Sequence, residues 1–176
     1  MTIKLPRILA LGNSGSGKTT LAKQLCAEYK LAHLDLDTLA WQDCTPPIRK
    51  PLADSKAQID AFVRANNSWV IEGCYADLMV FAQGVSDQLI FLNLSVEQCI
   101  ENAKSRPWES HKYPSRQAQD KNLPMLLAWI TDYNSREDCV SHSAHQQFYQ
   151  QYQGDKRIIR ENNKTDMLLN TVKQHV

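Results

Sequence analysis

Near its start the chain reads Gly12-Asn13-Ser14-Gly15-Ser16-Gly17-Lys18-Thr19, and no other stretch limits the fold as tightly. These residues satisfy the pattern G-x-x-x-x-G-K-[ST] at every fixed position. Glycines at 12, 15 and 17 let the backbone curl so that successive N–H groups point inward as an anion cradle. The helix expected next adds unpaired N–H groups and the positive end of its dipole. Context agrees with the motif. Arg7-Ile8-Leu9-Ala10-Leu11 reads as a buried parallel strand, and Leu21, Leu25, Cys26 and Tyr29 share one helical face after the loop. A dinucleotide fingerprint starting at Gly15 lacks its third glycine, and Ser16 stands where a nucleophile elbow at Ser14 requires glycine.

A bound triphosphate follows from this motif. Gly12, Asn13, Ser14, Gly15, Ser16, Gly17, Lys18, Thr19 and Thr20 are the candidate nucleotide contacts. Lys18 is placed on the β/γ-phosphates, and the Thr19 hydroxyl is a magnesium ligand. The expected cofactors are therefore ATP and Mg²⁺.

Strand and helix patterns alternate along the rest of the chain. Ala32–Asp37 reads as a second strand ending in two acids, Asp35 and Asp37, which an extended backbone points to one side. Trp41–Pro51 reads as a loop, and a helix from Asp54 runs to about Asn66. Trp69-Val70-Ile71-Glu72-Gly73 is a third strand, followed by a short helix over Leu78–Ala82. Gln88–Leu94 is a fourth strand, after which Ser95 and Gln98 form a capping box. Helical faces reappear at Leu123–Arg136 and around Phe148–Tyr152. Arg157–Arg160 is a fifth strand, and a last helix is capped near Thr165 or Asp166. This alternation implies a parallel sheet covered on both faces. Ligands in such sheets sit at the carboxyl ends of the strands, where the phosphate loop, Asp35, Asp37 and Glu72 all fall.

That convergence suits phosphoryl transfer. Asp37 is the candidate acid for orienting or deprotonating an acceptor, Asp35 with Thr19 is the candidate for holding magnesium, and Glu72 suits either role, as a further magnesium ligand or an acceptor-side acid. Between Lys104 and Lys121 the chain is basic, aromatic and aperiodic. Arg106 and Arg116 in that stretch are candidate catalytic arginines on a loop closing over ATP, with Arg136 a third.

Other properties narrow the class. A formal net charge of +1 gives no overall bias toward nucleic acid or anionic membrane. No apolar run approaches the ~20 residues of a membrane span. Five widely spaced cysteines without a Cys-x-x-Cys argue for reduced thiols and a cytoplasmic protein. Cys139, His142 and His145 recur every third residue, and the expectation there is solvated surface, not a metal cluster.

The phosphate loop, His33-Leu34-Asp35-Leu36-Asp37, Trp69–Tyr75, Leu89–Leu94 and Arg106 together resemble the adenylate-kinase-like branch of P-loop kinases. The chain is most similar to the small proteins labelled DNA topology modulation proteins. The resemblance implies a three-layer P-loop NTPase fold: one domain over residues 1–176, a five-stranded parallel sheet with the phosphate-loop strand central, helices on both faces, and a small helical lid around 106–121. It places Arg106 and Arg116 with the family's lid arginines, and Asp35 and Asp37 with the paired acids of shikimate-kinase-like members. The implied activity is Mg-dependent transfer of the ATP γ-phosphoryl group to a small hydroxyl or phosphate acceptor, a nucleoside, nucleotide or shikimate-like metabolite. The alternative is a regulatory nucleotide-binding protein that contacts DNA. A monomer or homodimer is expected. One departure stands out: adenylate kinases carry Asp-Gly-Phe-Pro-Arg after the third strand, whereas this chain has Glu72-Gly73-Cys74-Tyr75-Ala76, with no arginine to grip an acceptor phosphate.

Overall fold

Three apolar runs make the middle of the sheet: β1 (Arg7–Gly12), β3 (Trp69–Gly73) and β4 (Gln88–Leu92). They are buried on both faces, as central parallel strands must be. The edges are β2 (Ala32–Asp35) and β5 (Asp155–Ile159), whose residues are only partly covered. The computed structural model describes residues 5–161. All four strand pairings are parallel, in the order β2-β3-β1-β4-β5, so the phosphate-loop strand is central as the resemblance implies. The register brings the carboxyl ends level. Glu72 lies between Ala10 and Asp35, and Gly12 lies beside Leu92.

Side chains that alternate along the strands feed two separate cores. Leu9, Leu11, Trp69, Ile71 and Leu89 pack on one face with α2 (Asp37–Ala40), α3 (Leu52–Ala65), α4 (Ala76–Gln83) and α7 (His142–Gln151). Ile8, Ala10, Val70, Ile90 and Leu92 pack on the other face. Their partners come from α1 (Lys18–Tyr29), α5 (Val96–Lys104) and α6 (Arg116–Thr131). Each fully buried aliphatic side chain stabilises this sandwich by roughly 1.5–3 kcal/mol. The result is a three-layer α/β fold.

Local chemistry changes several expected boundaries. β2 stops at Asp35 because that side chain accepts the Asp37 N–H at 2.9 Å, while the Thr38 hydroxyl donates to the Asp35 carbonyl at 2.7 Å. These turn bonds compete with strand pairing. Asp37 therefore opens a short helix, and the two acids do not share a strand face. The Ser95 hydroxyl caps α5 by accepting the Gln98 N–H, but the Gln98 amide turns to Asn102, so the capping box is half made. The 41–51 stretch is pinned at its base by an antiparallel bridge between Trp41 and Arg49.

The expected lid range divides in two. Residues 105–115 form turns, and from Arg116 the chain is the opening of α6, which continues through Pro124. The expectation of solvated surface around Cys139–His145 is overturned, because His145 is fully buried on the inner face of α7. The helix expected after Thr165 lies outside the described residues.

Candidate active site

The loop between β1 and α1 depends on its glycines. Gly15 and Gly17 have φ of 78° and 93°, in the left-handed region that side chains disfavour. A Cβ on Gly15 would also strike the Cys99 carbonyl of α5, and one on Gly12 would lie 2.6 Å from the Leu92 carbonyl. Asn102 of α5 donates to the Gly15 carbonyl at 2.8 Å, bracing the outer side of the loop.

A cavity of about 650 Å³ opens over this loop. Ser14, Gly15, Gly17, Lys18, Thr19 and Thr20 line one wall, and Asp37 and Glu72 line another. The lid residues Arg106, Glu109, Lys112 and Tyr113 form the roof. The sheet edge, the phosphate loop and the lid therefore share one space.

Several expected contacts do not face that space. Gly12, Asn13 and Ser16 lie behind the cavity lining. The Asn13 amide donates to the Ile130 carbonyl at 3.2 Å, which ties the loop to α6. The Ser16 hydroxyl is buried and has no hydrogen-bond partner. Arg116 is outside the cavity lining: it pairs with Asp120 at 2.9 Å, both side chains more than half exposed, and donates to the Arg106 carbonyl at 3.4 Å. Arg136 stacks 3.9 Å from the Trp129 ring and pairs with Asp138. Arg106 does line the cavity, held by Glu109 at 3.0 Å.

Lys18 is nearly buried, and its ammonium donates to the Asn13 carbonyl at 2.7 Å, folding the side chain back over its own loop. Asp37 receives two donors: the Tyr75 hydroxyl at 2.8 Å on Oδ1 and the Lys112 ammonium at 2.9 Å on Oδ2. Tyr75 is in turn held by the Trp41 indole N–H at 2.8 Å. Burial alone would raise the Asp37 pKa. The charge and hydrogen bond of Lys112, the Tyr75 donor and the charge of Lys18 outweigh it and lower the pKa. Asp35 moves the other way. Burial and the neighbouring Glu72 and Asp37 charges raise its pKa against the partial relief given by Lys112.

Glu72 is buried, with Oε1 3.4 Å from His33 Nε2. Neither atom has a well-aligned hydrogen bond, so the contact is one of proximity. Among the described residues no three His, Cys, Asp or Glu side chains form a ready-made metal site. Magnesium needs less than that, since it keeps waters and takes one or two carboxylates plus nucleotide phosphates. The glycine-lined cradle, the Thr19 hydroxyl and the nearby acids match such a shared site.

Two important residues escape sequence reading. Lys112 lies in an aperiodic segment, and only folding carries it to Asp35 and Asp37. His145 is the other. Its Nε2–H donates to the Cys74 carbonyl at 2.6 Å, and its Nδ1 accepts from the Tyr133 hydroxyl at 2.7 Å. It thus fixes the turn between Glu72 and Tyr75. Its spacing from Phe148 and Tyr149, three and four residues on, was the available signal of a buried helical face.

Four cations of the basic stretch are paired with acids. Lys104 pairs with Glu101, Arg106 with Glu109, Lys112 with Asp37 and Arg116 with Asp120. Among the described residues no helix is long and apolar enough to cross a membrane.

No family model matches the chain, and no curated protein does so. Solved structures do. A sugar kinase from a Janibacter species, determined without ligand, is 15% identical with a TM-score of 0.54, over 96% of this chain and 93% of that one. A "putative kinase" from Chloroflexus aurantiacus is 16% identical with a TM-score of 0.53, over 97% of this chain and 98% of that one. At that identity the likeness concerns architecture: the chain has the α/β fold of these kinases.

Proposed function

We propose that this protein is an ATP-dependent phosphotransferase acting on a small molecule. The observation that carries this reading is the single cavity into which the phosphate loop, Asp37 and the lid arginine Arg106 all open. Ser14, Gly15, Gly17 and Thr19 would hold the phosphates of ATP, and Lys18 would leave the Asn13 carbonyl to reach the terminal ones. Thr19, with Asp35 or Glu72 acting through water, would hold magnesium, which supplies charge neutralisation on the phosphates. The acceptor oxygen attacks the γ-phosphorus. The new P–O bond forms as the bond to the β,γ-bridging oxygen breaks, releasing ADP, and the acceptor proton passes to Asp37. Arg106 stabilises charge on the transferring group.

A hydroxyl acceptor, such as a nucleoside or a shikimate-like metabolite, fits a wall of carboxylates better than a nucleotide does. Ala76 occupies the position of a phosphate-gripping arginine, and the nearby Arg49 is committed to Asp77 at 2.9 Å. The test is acceptor-dependent ADP release from Mg-ATP across nucleosides, nucleotides and hydroxylated metabolites, preceded by a thermal-shift screen with a non-hydrolysable ATP analogue. We expect one chemical class to raise both Tm and ADP release. Nucleotide binding with no acceptor response, together with salt-dependent DNA retention, would replace this reading with the regulatory one.

A further inference from the structure

Both oxygens of Asp37 are already taken. Tyr75 holds Oδ1 from the sheet side, and Lys112 holds Oδ2 from the lid. The Lys112 ammonium also lies 3.4 Å from Asp35 and 3.9 Å from Glu109, so three carboxylates surround it. The lid is braced against α6 by its own bonds. Gln119 accepts the Glu109 N–H at 2.8 Å and donates to the Pro107 carbonyl at 3.1 Å, and Asn122 donates to the Tyr113 hydroxyl at 2.8 Å. Lys112 is the side chain that crosses from this braced unit to the acids.

We propose that Lys112 is a latch controlling access to this site: it ties the lid to Asp35 and Asp37, and an acceptor that uses Asp37 as its base must displace it. The proposal rests on reading Asp37 as the acceptor-side acid. An acceptor hydroxyl needs Asp37 as its base, and in the latched state one oxygen carries the Lys112 ammonium and the other the Tyr75 hydroxyl. A carboxylate held by an ammonium is also a weak proton acceptor, so transfer waits on release. The latched lid therefore covers an idle base, and an acceptor that displaces Lys112 frees it.

Two measurements test the latch separately from the chemistry. In the first, brief treatment with acetic anhydride and peptide mass spectrometry compare acylation of Lys112 with that of the exposed Lys104 in the same chain. Lys112 should react at least about tenfold more slowly, and Asp37→Asn should bring it toward the Lys104 rate. Equal rates in the unaltered protein would overturn the proposal. In the second, stopped-flow fluorescence follows association of a fluorescent Mg-ATP analogue. Lys112→Met should bind about tenfold faster than the unaltered protein, and Lys112→Arg should restore the slow rate. Unchanged association in Lys112→Met would overturn the latch. If no variant binds the nucleotide while Lys112 remains shielded, the latch is upheld and the phosphotransferase reading fails.

Discussion

His145 should make the fold acid-sensitive well above the range where carboxylates titrate. Its ring is fully buried, donating to Cys74 and accepting from Tyr133. Burial pushes its pKa down to about 3, against the raising effect of the Cys74 carbonyl. An unfolded histidine titrates near ~6.5. Between these values the unfolded chain binds a proton that the folded chain refuses, so stability falls as pH falls. The contribution is complete above the unfolded value and is lost progressively down to the folded one. At about pH 5 the loss is about 2 kcal/mol, and it approaches roughly 5 kcal/mol near pH 3. Against a typical total of about 5–15 kcal/mol, that is enough to bring the protein close to unfolding. The assay is urea denaturation at about pH 7.5 and about pH 5, comparing the protein with His145→Gln. Glutamine preserves a donor for Cys74 but cannot titrate. The variant should be less stable at the higher pH, because the Tyr133 hydroxyl loses its acceptor, yet its stability should drop by about 2 kcal/mol less between the two conditions. Equal drops would refute the assignment of acid sensitivity to this ring.

The remaining predictions concern the cavity. Lys18→Ala should abolish ATP turnover while circular dichroism and Tm stay near those of the unaltered protein, because the ammonium's hydrogen bond is to its own loop. Asp37→Asn should lower kcat by about a hundredfold or more with nucleotide affinity nearly unchanged, as read from kcat, KM and an ATP-analogue titration. Gly15→Ala should cost about 2 kcal/mol or more in urea denaturation and abolish nucleotide binding, since that position combines a left-handed backbone with contact to the Cys99 carbonyl. Arg106→Ala should lower kcat about tenfold or more, whereas Arg116→Ala should change it by less than about twofold, because the first lines the cavity and the second pairs with Asp120 in solvent.

Local signals in this chain were legible wherever one segment determined its own outcome. The phosphate loop, the apolar strands and the Ser95 cap are set by neighbouring residues, and the central place of β1 agrees with the family resemblance. Failures occurred where a side chain competed with the backbone or where distant segments met. Period-two reasoning gave Asp35 and Asp37 a common strand face, but the Asp35 carboxylate captured the Asp37 amide and ended the strand. His145 looks polar in one dimension. Its two hydrogen bonds come from Tyr133 and from the turn after β3, and together they make burial tolerable. Lys112 could be named as basic from sequence but not located, since the acids it meets lie 75 or more residues away. Arg106 and Arg116 are both expected on the lid, Arg106 the better match, and the start of α6 sets the second one beside Asp120 in solvent.

The excursion from Trp41 to Arg49 has a fixed root and a free tip. Its ends are joined by a bridge, and Arg49 is clamped by Asp77 and rests 4.9 Å from the Tyr75 ring, whose hydroxyl in turn holds Asp37. Residues 42–48, by contrast, are exposed. New sequences could be grafted between those anchors while the Tyr75 hydroxyl keeps its hold on Asp37.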